Sequence, residues 1–249
     1  MGKETQPVRR RGWIFPSWKM NLAELNQRII ACRLCPRLVK HREKTAENPP
    51  ARFRGEKYWA KPLPGFGDPE ARVLVVGLAP AAHGGNRTGR MFTGDSSGDT
   101  LMKALYRAGF SNIDRSISVD DGLVLRDVYI TAVVRCAPPD NKPTRREIQN
   151  CTSYFVEELK LLKNVRVIVT LGRVAFEHVF RVFRDLRWFE GPTPAFSHGE
   201  EYRFIGVLFG RPLPVVLACY HPSRQNTSTG RLTQEMIDAV FRLAKAVVG

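Results

Sequence analysis

Acidic residues are scarce in this 249-residue chain: 24 Asp and Glu stand against 39 Lys and Arg, leaving a formal charge of +15 and a pI near 10.1. A field of that sign attracts phosphate at long range, so a polyanion, nucleic acid first, is the expected partner. No apolar run reaches the roughly 18 residues of a membrane span. The opening segment carries Arg9, Arg10 and Arg11 with no apolar stretch, which does not read as a secretory signal. A cytoplasmic location, with no membrane partner, is expected. Cysteine is sparse too, and five in an intracellular chain read as thiols or metal ligands rather than a disulfide framework. Internal repeats, low-complexity tracts and a Gly-Lys-Ser/Thr phosphate loop are all missing, which sets aside solenoids and P-loop chemistry.

What is present is enough apolar residue, 43%, to fill a core. Residues 1–20, basic and holding two prolines and two tryptophans, read as an arm; residues 21–249 read as one domain. Asn21 with Glu24 matches a capping box, and Leu22, Leu25 and Ile29 keep one face of the following helix apolar until it ends near Pro36. Residues 45–70 are rich in Pro, Gly and charge and read as a surface loop. Beyond them, apolar runs Val73–Val76, Val128–Val134, Val165–Leu171 and Val215–Tyr220 alternate with helical patterns around Leu101–Ala108, Thr144–Leu162, Val174–Phe183 and from Thr233. A short strand is expected near Phe204–Leu208. β-Branched runs separated by helices predict buried parallel strands, hence an α/β domain with a central sheet of about four.

Such sheets bind ligands beyond the carboxyl ends of their strands, and three loops there are unusual. The first, Gly77–Asp95, is glycine-rich without matching the dinucleotide fingerprint. The second runs Arg135-Cys136-Ala137-Pro138-Pro139-Asp140-Asn141, and the third Tyr220-His221-Pro222-Ser223-Arg224-Gln225-Asn226. Phe92, an aromatic in a polar loop, is suited to stacking on a base or to folding back on the core.

Cys32 and Cys35 form a C-x2-C pair at a helix end; Cys136 and Cys151 form a looser pair, the latter inside a capped helix. Four thiolates suit zinc or a [4Fe–4S] cluster, and the loose second pair favours the larger group. Cys219, within an apolar run, reads as a small buried hydrophobe.

With these residues in place, Gly77–Asp95 and His221-Pro222-Ser223 resemble the motifs of the family-5 uracil-DNA glycosylases, and the likeness extends from Cys32 to about Thr233. It implies a three-layer α/β/α fold with a mainly parallel four-stranded sheet, and a [4Fe–4S] cofactor on Cys32, Cys35, Cys136 and Cys151. Where other branches of the superfamily place a carboxylate or Asn early in the first loop, this chain has Leu78, Ala79, Ala81 and Ala82. The resemblance therefore assigns the water to Asn141, with Asp95 as a second candidate. Ala132 stands where a related branch has an Asn that reads uracil, which implies a roomier pocket admitting uracil, hypoxanthine, ethenocytosine and hydroxymethyluracil.

The expected chemistry follows from extruding a nucleotide into that pocket. The flipped base would stack on Phe92, with Gly77 and the backbone around Ala79 and Ala82 also contacting it. A neutral His221 would donate to the base as negative charge develops. Asn141, which cannot abstract a proton, would hold the water. Ser223, Arg224, Gln225 and Asn226 would press into the groove, while Arg87, Arg90 and Arg231 would meet phosphates of double- or single-stranded DNA. A monomer is expected. The competing readings are a non-catalytic nucleic-acid-binding module with a structural metal centre, and a redox iron–sulfur protein.

Overall fold

The computed structural model describes residues 20–249, so the basic arm expected over residues 1–20 lies, except for Met20, outside the described residues. In chain order the elements are α1 (Leu22–Ile30), α2 (Pro36–Glu47), β1 (Phe66–Gly67), β2 (Val73–Gly77), α3 (Gly85–Thr88) and α4 (Ser96–Arg107). They continue with β3 (Val128–Ala132), α5 (Arg145–Leu161), β4 (Val167–Leu171), α6 (Arg173–Asp185), β5 (Glu201–Tyr202), β6 (Val207–Leu208), β7 (Arg211–Pro212), β8 (Val215–Cys219), α7 (Arg224–Ser228) and α8 (Gln234–Val248).

The main sheet has the order β1-β3-β2-β4-β8-β5, with β2, β3, β4 and β8 parallel and the two edge strands antiparallel. The expectation of four strands is thus corrected to six. The four central strands are the β-branched runs read from sequence. Each edge strand is two residues long, too short to show a period of two. Of the strand expected near Phe204–Leu208, only Val207–Leu208 forms, as β6 of a separate β6–β7 hairpin, while edge strand β5 lies just before it.

Alternation along the strands divides the core. Leu74, Val76 and Ile168 face Phe155 and Leu159 of α5 and Phe176, Val179 and Phe180 of α6. Val73, Val75, Val167 and Val169 face Leu101 and Leu105 of α4 and Ile237 and Phe241 of α8. Helices therefore cover both faces, the three-layer arrangement that buried parallel strands require. Capping boxes at Asn21 and Thr144 start α1 and α5 where expected.

The segment after Cys35 departs from expectation. Pro36 does not end structure there; it opens α2, because proline lacks the N–H that a first helical position leaves unused anyway. Leu25 and Ile29 of α1 pack on Tyr154 of α5, so the N-terminal helices are joined to the sheet layer through α5.

Candidate active site and four-cysteine cavity

The parallel strands end side by side, with Gly77 registered opposite Ala132 and Leu171 opposite Cys219. The second loop extends this pairing past the strands: the N–H groups of Val133 and Val134 donate to the carbonyls of Gly77 and Leu78 at 2.9 Å each. Ala132 itself is buried beneath the first loop in the cluster that Phe92 packs against.

Phe92 closes over Gly77. A Cβ on Gly77 would stand 2.8 Å from the far edge of the Phe92 ring, so only glycine lets the ring lie across the strand end. Phe92 itself sits at φ 51°, a left-handed conformation that is unfavourable for a bulky residue. Backbone strain of this kind gathers at sites where geometry serves chemistry. The half-buried ring faces His221, with centroids 6.2 Å apart and planes tilted by 34°.

His221 is seated from two sides. After β4, Gly172 (φ 94°) leaves room for it, since a Cβ there would be 3.2 Å from the His221 Cβ. From α7, Asn226 Nδ2 donates to the His221 carbonyl at 2.8 Å. Burial pushes the imidazole down to about 4, so it is neutral at pH 7 and keeps one N–H to donate. A feature the sequence reading missed supports the same loop. Tyr220 stacks on His198 at 4.8 Å, its N–H donates to His198 Nδ1 at 3.1 Å, and the Arg231 guanidinium covers its ring at 4.8 Å.

Asp95 caps α4, accepting from the Gly98 N–H at 2.9 Å, while its second oxygen abuts Gly84 of the first loop. Burial raises its carboxyl above the usual range, against the lowering effect of the Gly98 and Ser97 N–H groups. Asn141 ends an exposed turn, Pro139–Asn141, where Asp140 (φ 55°) and Asn141 (φ 56°) are both left-handed. Its side chain makes no hydrogen bond among the described residues. The structure thus brings Gly77, Phe92 and His221 together, places Asp95 at the helix that follows, and leaves Asn141 at the rim.

Ala79 and Ala82 are partly exposed along the first loop. The arginines of that loop do not face outward. Arg90 is buried and bonds Thr93, Ser116 and Asp121, the last at 2.6 Å, so its expected phosphate contact is corrected to an internal brace. Arg87 is engaged similarly with Glu56 at 2.6 Å and with the carbonyls of His83 and Gly94. In the third loop Ser223 caps α7 and Asn226 holds His221, whereas Arg224 and Gln225 are exposed.

On the other side of the second loop, Cys32, Cys35, Cys136 and Cys151 all line one cavity, together with Arg42, Arg135 and Tyr154. All four thiols are free, and among the described residues no group of three or more His, Cys, Asp or Glu is arranged to hold a metal ion. Two pairs of cysteines far apart in the chain are thereby brought to one cavity. Two of the sulfurs accept hydrogen bonds: Cys35 from Asn150 Nδ2 at 3.3 Å and Cys136 from Arg42 Nη1 at 3.0 Å. Burial raises Cys35, pushes Cys136 up to about 11 and Cys151 up to about 12, so these thiols ionise only if a cation takes the place of the proton. Cys219, 0% exposed within β8, is a core residue as expected.

A model of the uracil DNA glycosylase superfamily matches residues 64–245. The chain is 54% identical over 223 residues to a type-5 uracil-DNA glycosylase of Thermus thermophilus, covering 90% of this chain and 96% of that one. It is 47% identical over 222 residues to a type-5 uracil-DNA glycosylase of Pyrobaculum aerophilum, covering 89% and 91%. Similarity falls to 30% over 204 residues, 82% of each chain, for a type-4 uracil-DNA glycosylase of Archaeoglobus fulgidus.

Proposed function

Because the chain belongs to the uracil-DNA glycosylase superfamily, in its type-5 branch, we propose that it is a monofunctional DNA-repair glycosylase. It hydrolyses the N-glycosidic bond of uracil in DNA and leaves an abasic site. The observation that carries the reading is the facing pair of Phe92 and His221 above Gly77, an apolar platform opposite a neutral donor.

The flipped base lies on Phe92, and the first-loop backbone at Ala79 and Ala82 meets its edge. As the bond breaks, negative charge gathers on the departing base, and the neutral imidazole of His221 donates to it. A preorganised donor of this kind is worth about 2.7–4 kcal/mol of barrier. Asn141 holds the attacking water, presented from an exposed turn with its side chain free of other hydrogen bonds among the described residues. Asp95, desolvated with one oxygen free of the helix cap, is the second candidate for that water.

With alanine at position 132, nothing at that strand end reads the pyrimidine edge. Hypoxanthine, ethenocytosine and hydroxymethyluracil are therefore admitted beside uracil. Arg224 and Gln225 at the start of α7 enter the groove. The excess of basic residues draws both double- and single-stranded DNA, so the enzyme works on the nucleoid as a monomer.

Cys32, Cys35, Cys136 and Cys151 would hold a [4Fe–4S] cluster, which would tie α1 and α2 to the base of the second loop and supply bracing rather than chemistry. A single zinc ion gathers its thiolates at one point, whereas a cluster spreads them over several irons; the loose spacing of Cys136 and Cys151 favours the cluster.

The test is a set of duplexes, each with one uracil, hypoxanthine or ethenocytosine, cleaved by alkali after incubation. His221→Ala and Asn141→Ala slow uracil release at least a hundredfold while duplex binding persists. Full activity in either removes that residue from its role, and no release by the wild type removes the reading.

A further inference from the structure

Arg42 and Arg135 both line the four-cysteine cavity and are both nearly sealed from solvent, at 2% and 1% exposed. Their charges are handled differently. Arg135 is paired at 2.5 Å with Glu158, itself 0% exposed, so the two form a neutral unit. Arg42 makes no ion pair among the described residues. Its Nη1 donates to Cys136 Sγ at 3.0 Å and its Nε, also buried, has no partner. Glu43, next in the chain, is paired instead with Arg33 at 2.7 Å.

A buried guanidinium with no counter-charge is strongly unfavourable, and a protein keeps one only where an anion stands against it. No carboxylate is in direct contact with it among the described residues; Glu43 feels its charge only at longer range and is held by Arg33. The one group that would carry negative charge in this cavity is a thiolate-ligated cluster, since neutral thiols bring none. The other donor to a cysteine sulfur, the Asn150 amide, is uncharged. Hydrogen bonds and net charge at the sulfurs are what set the potential of an iron–sulfur centre.

We propose that Arg42 is the buried counter-ion of the cluster and the residue that sets its reduction potential, a proposal that rests on the four-cysteine cluster assigned above. When one electron enters the cluster, no bond or proton moves; the added negative charge comes to rest beside the guanidinium and is stabilised by it. Arg42 touches no substrate, and its influence passes through Cys136.

The experiment compares holoprotein of the wild type, Arg42→Gln and Arg42→Lys. Glutamine keeps an N–H donor without the charge, and lysine keeps the charge without the planar fork. Each is assayed for iron and acid-labile sulfide, then titrated with dithionite, a one-electron reductant, in the presence of dye mediators. Arg42→Gln is expected to lower the reduction equilibrium at least tenfold, about 59 mV for a one-electron couple, and Arg42→Lys to stay near the wild type.

Equal potentials in iron-loaded wild type and Arg42→Gln overturn the role of Arg42 and leave the cluster standing. Wild type free of iron and sulfide overturns the cluster and the counter-ion together. Loading by Arg42→Lys but not by Arg42→Gln supports the proposal, because charge then decides retention. Failure of both variants to load overturns it, since the shape of the side chain rather than its charge is then what matters.

Discussion

His178 offers a clean measure of how this interior treats a titratable group. It lies on α6 at 2% exposure beside Phe155, ring centroids 5.4 Å apart, and neither ring nitrogen has a hydrogen-bond partner. Burial, reinforced by Arg181 and Arg135, pushes it from the ordinary 6.5 down to about 3. Between those values the unfolded chain binds a proton that the native state refuses, so stability is complete above about 6.5 and drains as the pH falls toward about 3. Each pH unit in that window costs about 1.36 kcal/mol. At pH 5 the loss is about 2 kcal/mol, a sizeable share of the roughly 5–15 kcal/mol that holds a domain together.

Substituting His178→Leu removes both the titration and the orphaned nitrogens, whose burial costs about 1–3 kcal/mol at any pH. Urea unfolding of the holoprotein at pH 7.5 and pH 5 should show the variant no less stable at the higher pH. Its margin over wild type should widen by about 2 kcal/mol at the lower. Other titrating groups cancel in this comparison. A margin that does not change with pH would mean that His178 ionises freely in the fold, and the reasoning from burial would fail.

The neutral state of His221 predicts that single-turnover excision passes through pH 6.5 without inflection and falls only near pH 4; an acid limb centred on 6.5 would show that the imidazole is not shielded. Asp95→Asn preserves a good helix cap, so its melting temperature should match the wild type while uracil release drops at least tenfold; Asp95→Ala should also lose about 1 kcal/mol of stability. Arg224→Ala should reduce the slope of log K against log salt for DNA binding by about 1. Arg90→Ala should leave that slope alone and instead cost about 1–3 kcal/mol by removing the bonds that tie Thr93, Ser116 and Asp121 together.

The four central strands were legible because β-branched residues fill positions buried on both faces, and the start of α5 because Thr144 and Glu147 each serve the other's backbone. Helix α2 was not. Its sequence PRLVKHREKTAE buries only Leu38, Val39 and Arg42, too few apolar residues to print a helical period. The buried arginine within it was hidden by the same fact, since a lone Arg in a charged stretch reads as solvated. Arg87 and Arg90 were misplaced for a related reason: in a glycine-rich loop, composition does not tell a phosphate ligand from a brace, and the carboxylates Glu56 and Asp121 that claim them lie 31 residues away in each case. Pairing Phe92 with His221 required knowing that Gly77 and Gly172 leave the room for both rings.

The packing of α1 on α5 also sets a schedule for synthesis. Leu25 and Ile29 pack with the nearby Met20 and Cys32, but the residues that join them to α5, Tyr154 and Leu161, come about 125 residues later. At roughly 5–20 residues per second, the ribosome leaves that apolar face without its α5 partner for about 6–25 s. Cys32 and Cys35, just behind it, wait about as long for Cys136 and Cys151, which line the same cavity. For that interval the nascent chain presents two thiols and a greasy helix to everything nearby. Chaperone demand and oxidative damage should both concentrate there, on a segment that is quiet in the finished protein.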